Sequence, residues 1–269
     1  MDFVIDQDYH IHTLRSFCSR DPLQTTENIL EAAESDGFWD ICITDHFWDE
    51  KVPGIEGLSL EQNYKNISKN LPLPESDKVK IHFGCETDLD LRGVLGVDKS
   101  SFDKFDFVLV STTHLHLDGF TVSPLVNTKE ERAKLYVERM EKVLSMDLPF
   151  QKICFSHLTV CHILRGKNED FTHLDVIDLI DDKTFERLFS ETAKKGAAVE
   201  LNFDIRGLSK KDAERTIRPY RIAKSCGCKF CFGSDAHHPS VFKDRRERFT
   251  AIKDALSLEE SDKYKIAGG

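Results

Sequence analysis

Two histidines one residue apart, in the stretch DYHIHT, have the spacing of a metal-binding pair. His10 and His12 close an apolar run near the start of the chain. Because residues i and i+2 of an extended strand face the same way, both imidazoles are expected to point to one place. Asp235 and His237 repeat this spacing in GSDAHH. Neutral imidazoles and carboxylates are donors that divalent transition metals require, so both pairs indicate metal chemistry.

Similar polar side chains recur where the other predicted strands end. The predicted strands cover residues 3–12, 39–46, 79–89, 105–116, 152–158, 197–203 and 229–234. Between the first and last of these strands, the carboxyl ends carry Asp45, His46, Glu86, His114, His157, Glu200 and Asn202. In a parallel α/β barrel, functional residues gather at the carboxyl ends of the strands. So many donors predict two or three ions that share a bridging carboxylate, with Asp45 expected to orient a ligand rather than bind metal.

The segments between the predicted strands have apolar residues at helical spacing. These helices would hold the strands, and so the polar side chains at the strand ends, in position. Residues 25–37, 128–146 and 182–196 are predicted helices, and Gly37 and Gly196 are expected to end two of them. Alternating strands and helices predict parallel βαβ units in an α/β fold. A length of 269 residues suits one barrel, and no linker-like composition divides it. We therefore expect a single domain over residues 1–269.

Composition and charge exclude several classes of function. A formal net charge of −10 argues against binding a nucleic acid polymer through a general basic surface. No apolar run approaches the roughly 18 residues of a membrane span, and the first residues lack the pattern of a signal peptide. The eight cysteines are expected to be reduced thiols, which favours a cytoplasmic location. The oligomeric state is not predicted.

Taken together, the motifs resemble those of the PHP (polymerase and histidinol phosphatase) family, most closely its stand-alone histidinol-phosphatase-like members. DYHIHT, ITDH, GCE, SHL and GSDAH occur in the family's order and approximate spacing along essentially the whole chain. The resemblance implies a distorted (β/α)7 TIM-like barrel with a trinuclear metal centre at the carboxyl ends of the strands. The cofactors would be two or three divalent ions of Zn, Mn or Fe, among which the ligands do not discriminate.

The resemblance also implies which residues bind the ions. Carried over by position, the metal ligands would be His10, His12, Cys18, His46, Glu86, His114, His157, Asp235 and His237. The residues of this set expected to act in catalysis are His10, His12, Glu86, Asp235 and His237. Glu86 would bridge two ions. Cys18 stands where relatives often have a histidine, and Asp21 is the alternative ligand there. His116, His162, His173 and His238 are expected not to bind metal.

The chemistry implied by the resemblance is hydrolysis of a small phosphate ester, with L-histidinol phosphate as the leading substrate. A hydroxide held between two ions would attack phosphorus in line. An arginine should complete phosphate recognition, because a guanidinium binds phosphate oxygens in bidentate fashion. Arg206 in ELNFDIRGL is the first candidate for this phosphate-binding role, and Arg165 in HILRGKNED is the second.

Three alternatives remain open at this point. A PHP phosphoesterase could act on nucleotides or another small phosphate, since Phe47 and Trp48, in the segment after the second strand, could stack on a base or on an imidazole. An amidohydrolase-like metal hydrolase would share the barrel and the metals but cleave C–N bonds. A metal-binding module without catalysis is the third alternative.

Overall fold

The computed structural model describes residues 1–54, 61–164 and 170–267. Seven strands form one sheet in chain order, and every neighbouring pair is parallel. The strands are β1 (Gln7–Ile11), β2 (Asp40–Ile43), β3 (Lys80–Asp88), β4 (Phe107–Ser111), β5 (Ile153–Phe155), β6 (Ala198–Leu201) and β7 (Lys229–Phe232). Parallel neighbours throughout place all seven carboxyl ends on one face.

Helices connect the strands and cover the outside of the sheet. The α-helices are α1 (Thr26–Asp36), α2 (Tyr64–Ile67), α3 (Lys129–Leu144), α4 (His173–Ile177), α5 (Asp182–Lys195), α6 (Lys210–Ser225) and α7 (Arg245–Leu256). Short 3₁₀ helices lie at Ser68–Asn70, Lys99–Lys104, Phe150–Lys152, Cys161–Ile163, Pro239–Asp244 and Glu260–Asp262. Between β3 and β4 the connection contains a 3₁₀ helix in place of an α-helix.

The three helices predicted from spacing are confirmed as α1, α3 and α5. Thr25 caps the amino end of α1 by accepting a hydrogen bond from the Asn28 backbone. Gly37 and Gly196 end α1 and α5 in the left-handed conformation, at φ 70° and 80°. This conformation is strained for residues with a side chain, so glycine ends both helices as expected.

The barrel closes where β1 meets β7, through two backbone hydrogen bonds rather than a full ladder. The His12 amide donates to Ala236 O at 3.1 Å, and the Asp235 amide donates to His10 O at 2.8 Å. An irregularity in β1 between Asp8 and Ile11 lets both Tyr9 and His10 face the interior. The predicted distorted (β/α)7 barrel is confirmed, and its seam lies directly beside the two predicted metal-binding pairs.

The barrel interior contains a polar layer at the carboxyl ends and an apolar layer below it. The apolar layer consists of Tyr9, Cys42, Phe107, Leu109, Cys154, Ala198, Cys231, Tyr264 and Ile266. Tyr264 and Ile266 come from the segment after α7, and the Tyr264 amide donates to Phe230 O at 2.8 Å. A larger apolar core fills the space between the sheet and the helices. In the described part of the chain, no helix combines the length and apolarity that crossing a bilayer requires.

Candidate metal centre

A cavity of about 780 Å³ opens at the carboxyl ends of the strands. Predicted metal ligands lining it are Cys18, His46, Glu86, His114, His157, Asp235 and His237. His10 and His12 lie directly behind this surface, fully buried. The structure therefore brings all nine predicted ligands to one end of the barrel.

The two predicted pairs face each other across the barrel seam. His10 Nε2 lies 3.0 Å from His12 Nε2, so the two rings do point to one place. Asp235 Oδ1 lies 3.3 Å from His10 Nε2 and 3.2 Å from His12 Nε2. Two ring nitrogens and a carboxylate oxygen thus surround a common point, which is the arrangement of a metal-ligand shell.

Glu86 connects this point with a second group of histidines. Its Oε2 lies 3.5 Å from His10 Nε2 and 3.0 Å from His46 Nδ1. Its other oxygen, Oε1, lies 2.9 Å from His157 Nε2 and 3.7 Å from His114 Nε2. Because each oxygen faces a different set of imidazoles, Glu86 has the geometry of a carboxylate that bridges two ions.

Four histidines of the cluster have an acceptor beside Nδ1, which determines the tautomer. His10 Nδ1 faces a carboxylate oxygen of Glu200 at 2.5 Å, and His114 Nδ1 faces one of Asp88 at 2.8 Å. His237 Nδ1 faces the main-chain oxygen of Asp235 at 2.8 Å. Since these oxygens can only accept, each Nδ1 carries a proton, and Nε2 is the ring nitrogen left to face a cation.

For His12, the fourth of these, the tautomer follows from a hydrogen-bonded relay. Ser16 Oγ donates its single proton to Asp45 at 2.6 Å, so it can only accept from His12 Nδ1, 2.9 Å away. Asp45 also accepts from the Thr13 amide and from Asn70. The carboxylate is therefore committed to hydrogen bonds, in agreement with the expectation that Asp45 orients a ligand.

The electrostatics of the cluster keep its carboxylates ionised. Burial alone would raise the pKa of Glu86, but His46 and His10 hold that pKa well below its usual range. Burial likewise opposes ionisation of Asp235, while His10 and His12 keep its pKa well below the ordinary value. Both acids are thus available as anionic ligands near neutral pH.

Among the buried polar atoms of the described structure that lack a hydrogen-bond partner, two belong to the cluster of predicted ligands. They are Glu86 Oε2 and His114 Nε2. Leaving such atoms unpaired is costly. A divalent cation would satisfy both, so the residues present fit a metal centre. His157 and Asp235 also adopt left-handed backbone conformations at φ 60° and 54°, a strain that concentrates at functional sites.

Compact sets of donor atoms mark where individual ions could bind. Within each set the ligand atoms lie within 4.8 Å of one another, and the sets are His10–His12–Glu86, His12–His46–His237, His114–His157–His162 and His10–His157–Glu200. Cys18 is exposed and lies beside His46, whereas Asp21 pairs with His238 at 2.7 Å and does not line the cavity. Of the two predicted alternatives, Cys18 is the one near the second set.

The structure does not bring Arg206 to the cavity. Its guanidinium pairs with Asp204 and Asp244, each at 2.6 Å, on the outer surface. A contact with phosphate would require Arg206 to give up these partners. Arg165, the second candidate, lies outside the described residues, as does part of the segment after Phe47 and Trp48. Phe47 and Trp48 themselves are buried and line the cavity.

Three residues near the cluster were not among the predicted ligands, although Glu200 and Asn202 were predicted to lie at this end of the barrel. His162 lies on a 3₁₀ turn beyond β5, and it was expected not to bind metal, yet it joins His114 and His157 in one donor set. Glu200 and Asn202 contact His10 and His157 through their Nδ1 atoms. Their position at the end of β6 was a signal for the last two. No sequence signal other than its residue type pointed to His162.

The comparisons with known proteins identify the family. The PHP domain model matches residues 8–204, so the chain belongs to the PHP family. A Caldicellulosiruptor saccharolyticus protein described as "Probable phosphatase" is 22% identical over 235 residues, covering 87% of this chain and 80% of the relative. A histidinol phosphate phosphatase from Lactococcus lactis, solved with zinc, L-histidinol and phosphate, superposes with a TM-score of 0.62 at 20% identity. That alignment covers 97% of this chain and 98% of the other and shows a shared fold.

Proposed function

We propose that this protein is a metal-dependent phosphomonoesterase. The observation that carries the proposal is the convergence of histidine Nε2 atoms on both oxygens of Glu86, because it creates adjacent sites for cations. Membership of the PHP family and the similarity to a protein described as a probable phosphatase support phosphate chemistry. Residues 1–269 would act as one domain, and eight free thiols favour the reducing cytoplasm as its location.

The proposed cofactors are two or three divalent ions of Zn, Mn or Fe. The nine ligands predicted from the sequence would hold them, with His162 as a tenth donor. When bound, such ions lower the pKa of a water molecule and neutralise charge on phosphate oxygens. Zinc is favoured among these metals by the Lactococcus lactis structure, which contains it.

The protein's own residues would organise the reaction around these ions. Glu86 and Asp235 remain anionic and hold two donor sets at a fixed separation. Burial lowers the pKa of His162 to about 3, so its imidazole is neutral at working pH and can accept a hydrogen bond or bind a cation. Trp48 and Phe120, with ring centroids 5.2 Å apart, form an apolar wall that limits access of water.

The lining of the cavity favours a leaving group that carries a ring and a positive charge. Phe17, Trp48 and Phe120 provide aromatic surface, and Asp118 provides an acidic group on the same cavity. Among the described lining residues there is no lysine or arginine. L-histidinol phosphate, with an ammonium and an imidazole, fits this chemistry and is the proposed substrate. The L-histidinol in the Lactococcus lactis structure supports this choice.

Nucleotides are the second candidate substrates, because the same aromatic surface could stack on a base. A nucleoside monophosphate would place its base against Trp48 and Phe120. Each additional phosphate would face Asp118 and Asp88 without a described cationic side chain in the lining. We therefore expect monophosphates to be preferred to di- or triphosphates.

The test is a panel of phosphomonoesters assayed with chelator-treated protein and with the same protein reconstituted with Zn, Mn or Fe. We expect phosphate release to require metal and to be fastest with L-histidinol phosphate. Glu86→Gln should abolish activity and metal retention, whereas Glu31→Gln, an exposed change on α1, should preserve both. Absence of hydrolysis with every ester and metal would contradict the proposal and favour C–N bond hydrolysis or a non-catalytic metal-binding role.

A further inference from the structure

Glu200 is a buried carboxylate to which the proposed reaction assigns no part. It lies at the end of β6, is 0% exposed, and touches two proposed ligands that come from different strands. Its Oε1 lies 2.5 Å from His10 Nδ1, and its Oε2 accepts a hydrogen bond from the His157 backbone amide at 3.0 Å. The Glu200 carboxylate therefore connects His157, which follows β5, to His10 on β1.

Each of the two contacts has a separate physical effect. The contact with His10 requires a proton on Nδ1, and this makes Nε2, which faces His12, Glu86 and Asp235, the nitrogen that can bind a cation. The contact with His157 pairs a buried amide whose residue has φ 60°, a conformation that is uncommon for residues other than glycine. Pairing that amide offsets part of the strain in a left-handed residue. His157 Nε2 can then reach Glu86 Oε1.

The space around Glu200 is shaped for this carboxylate. A Cβ added to Gly233 would lie 2.1 Å from Glu200 Oε1 and 2.6 Å from the His10 Cβ. Only glycine fits at position 233, just after β7. The backbone of β7 thus approaches closely enough to confine the Glu200 side chain to its place between His10 and His157.

We infer that Glu200 is a positioning residue that fixes the Nδ1–H tautomer of His10 and the backbone of His157 for metal binding. This inference rests on the proposed metal centre. A carboxylate suits both contacts because both of its oxygens accept hydrogen bonds. The amide of glutamine has one oxygen, so its NH2 group must face either the His157 amide or His10 Nδ1. Either choice removes one contact, and the second reverses the tautomer of His10.

The test compares zinc binding by the full chain and by Glu200→Gln, in competition with a chromophoric chelator. Carboxylate partners of ligand histidines influence affinity by about 10- to 100-fold, so we expect Glu200→Gln to bind zinc weaker by that factor. The control, Glu31→Gln, should bind like the unchanged protein. If the unchanged protein binds zinc and Glu200→Gln binds it within twofold, the inference about Glu200 is wrong. If the unchanged protein binds none of Zn, Mn and Fe in the same competition, the proposed function is wrong instead.

A second measurement reads the tautomer of His10 directly in the unchanged protein. The zinc-loaded, unchanged protein is labelled with ¹⁵N in its histidine rings, and the His10 signal is assigned by its loss in His10→Gln. We expect a ring proton on Nδ1, shifted downfield by its hydrogen bond to a carboxylate. A His10 signal protonated on Nε2 would overturn the inference. In Glu200→Gln, the downfield Nδ1 proton should disappear.

Discussion

Asp8 and Arg245 are 237 positions apart in the chain, and their side chains form a fully buried ion pair, with Arg245 Nη1 3.0 Å from Asp8 Oδ2. The other oxygen of Asp8 accepts from the Ser234 amide at 2.8 Å. The Arg245 guanidinium also stacks on Phe38 and Phe242. Asp8 lies on β1 and Ser234 just beyond β7, so the pair holds the barrel seam beside His10 and Asp235.

Breaking this ion pair should strongly destabilise the fold. Arg245→Met leaves Asp8 as an uncompensated buried charge, which typically costs about 3–5 kcal/mol of unfolding free energy. Urea unfolding of the metal-free protein would measure the loss. The control is Lys253→Met, whose partner Asp2 is 80% exposed and whose ion pair should contribute less than about 1 kcal/mol. Equal losses of unfolding free energy in the two variants would show that the buried ion pair stabilises the fold no more than the exposed one does.

Metal loading should protect one of two exposed thiols. Cys18 and Cys161 are both exposed, but Cys18 lies beside His46 whereas Cys161 does not line the cavity. Since the thiolate is both the nucleophile and the metal ligand, zinc should slow alkylation of Cys18 on the order of tenfold. Cys161 in the same sample is the control and should react at an unchanged rate. Mass spectrometry of the labelled peptides would read out both, and equal rates at Cys18 with and without zinc would exclude it as a ligand.

His162 should contribute to the binding of one ion. Removing its imidazole with His162→Ala takes a neutral donor from the set with His114 and His157. We expect the affinity of one zinc ion to fall at least tenfold, which corresponds to about 1.4 kcal/mol. The matched control is His238→Ala, because His238 pairs with Asp21 and does not line the cavity. Calorimetric titration with zinc would distinguish the two variants. Identical isotherms would show that His162 does not bind metal.

Replacing Arg206 tests the phosphate-binding role predicted from the sequence. In the structure its guanidinium is held by Asp204 and Asp244, away from the cavity. From this geometry we expect Arg206→Ala to leave KM for a phosphomonoester within about twofold, because direct removal of a charged phosphate contact costs more. Arg221→Ala, which breaks an exposed pair with Glu214, is the control. A tenfold rise in KM only for Arg206→Ala would mean that this arginine exchanges its carboxylate partners for phosphate.

The features predictable from the sequence are those that depend on local pattern or on parallel topology. Strand alternation was sufficient to place His10 and His12 together. Glycine at helix ends located Gly37 and Gly196, and the convergence of strand ends brought Glu86 to the same cluster. Each of these rules holds whatever path the loops take, which explains why the barrel and the convergence at the strand ends could be predicted. The choice of nine ligands, Cys18 among them, came from the resemblance to the PHP family.

The features that could not be predicted depend on partners distant in sequence. Arg206 has the residue type of a phosphate ligand, but Asp244, 38 positions away, helps to hold it on the outer surface. His162 reaches the cluster only because of the course of the turn after β5. Glu200 occupies an ordinary strand position, and its importance depends on how closely Gly233 approaches from β7. No local pattern encodes these three-dimensional relations.

Tyr264 and Ile266 fill the end of the barrel opposite the cavity, against Tyr9 on the first strand. The Gln7 side chain donates to Tyr264 O at 2.9 Å across 257 positions of sequence. The inner face of β1 is therefore covered only when a segment 257 positions further along the chain has folded against it. Contacts of such long range are slow to form and leave apolar surface exposed meanwhile. We therefore expect Tyr264 and Ile266 to enter the barrel late in folding, after the strands around them have assembled.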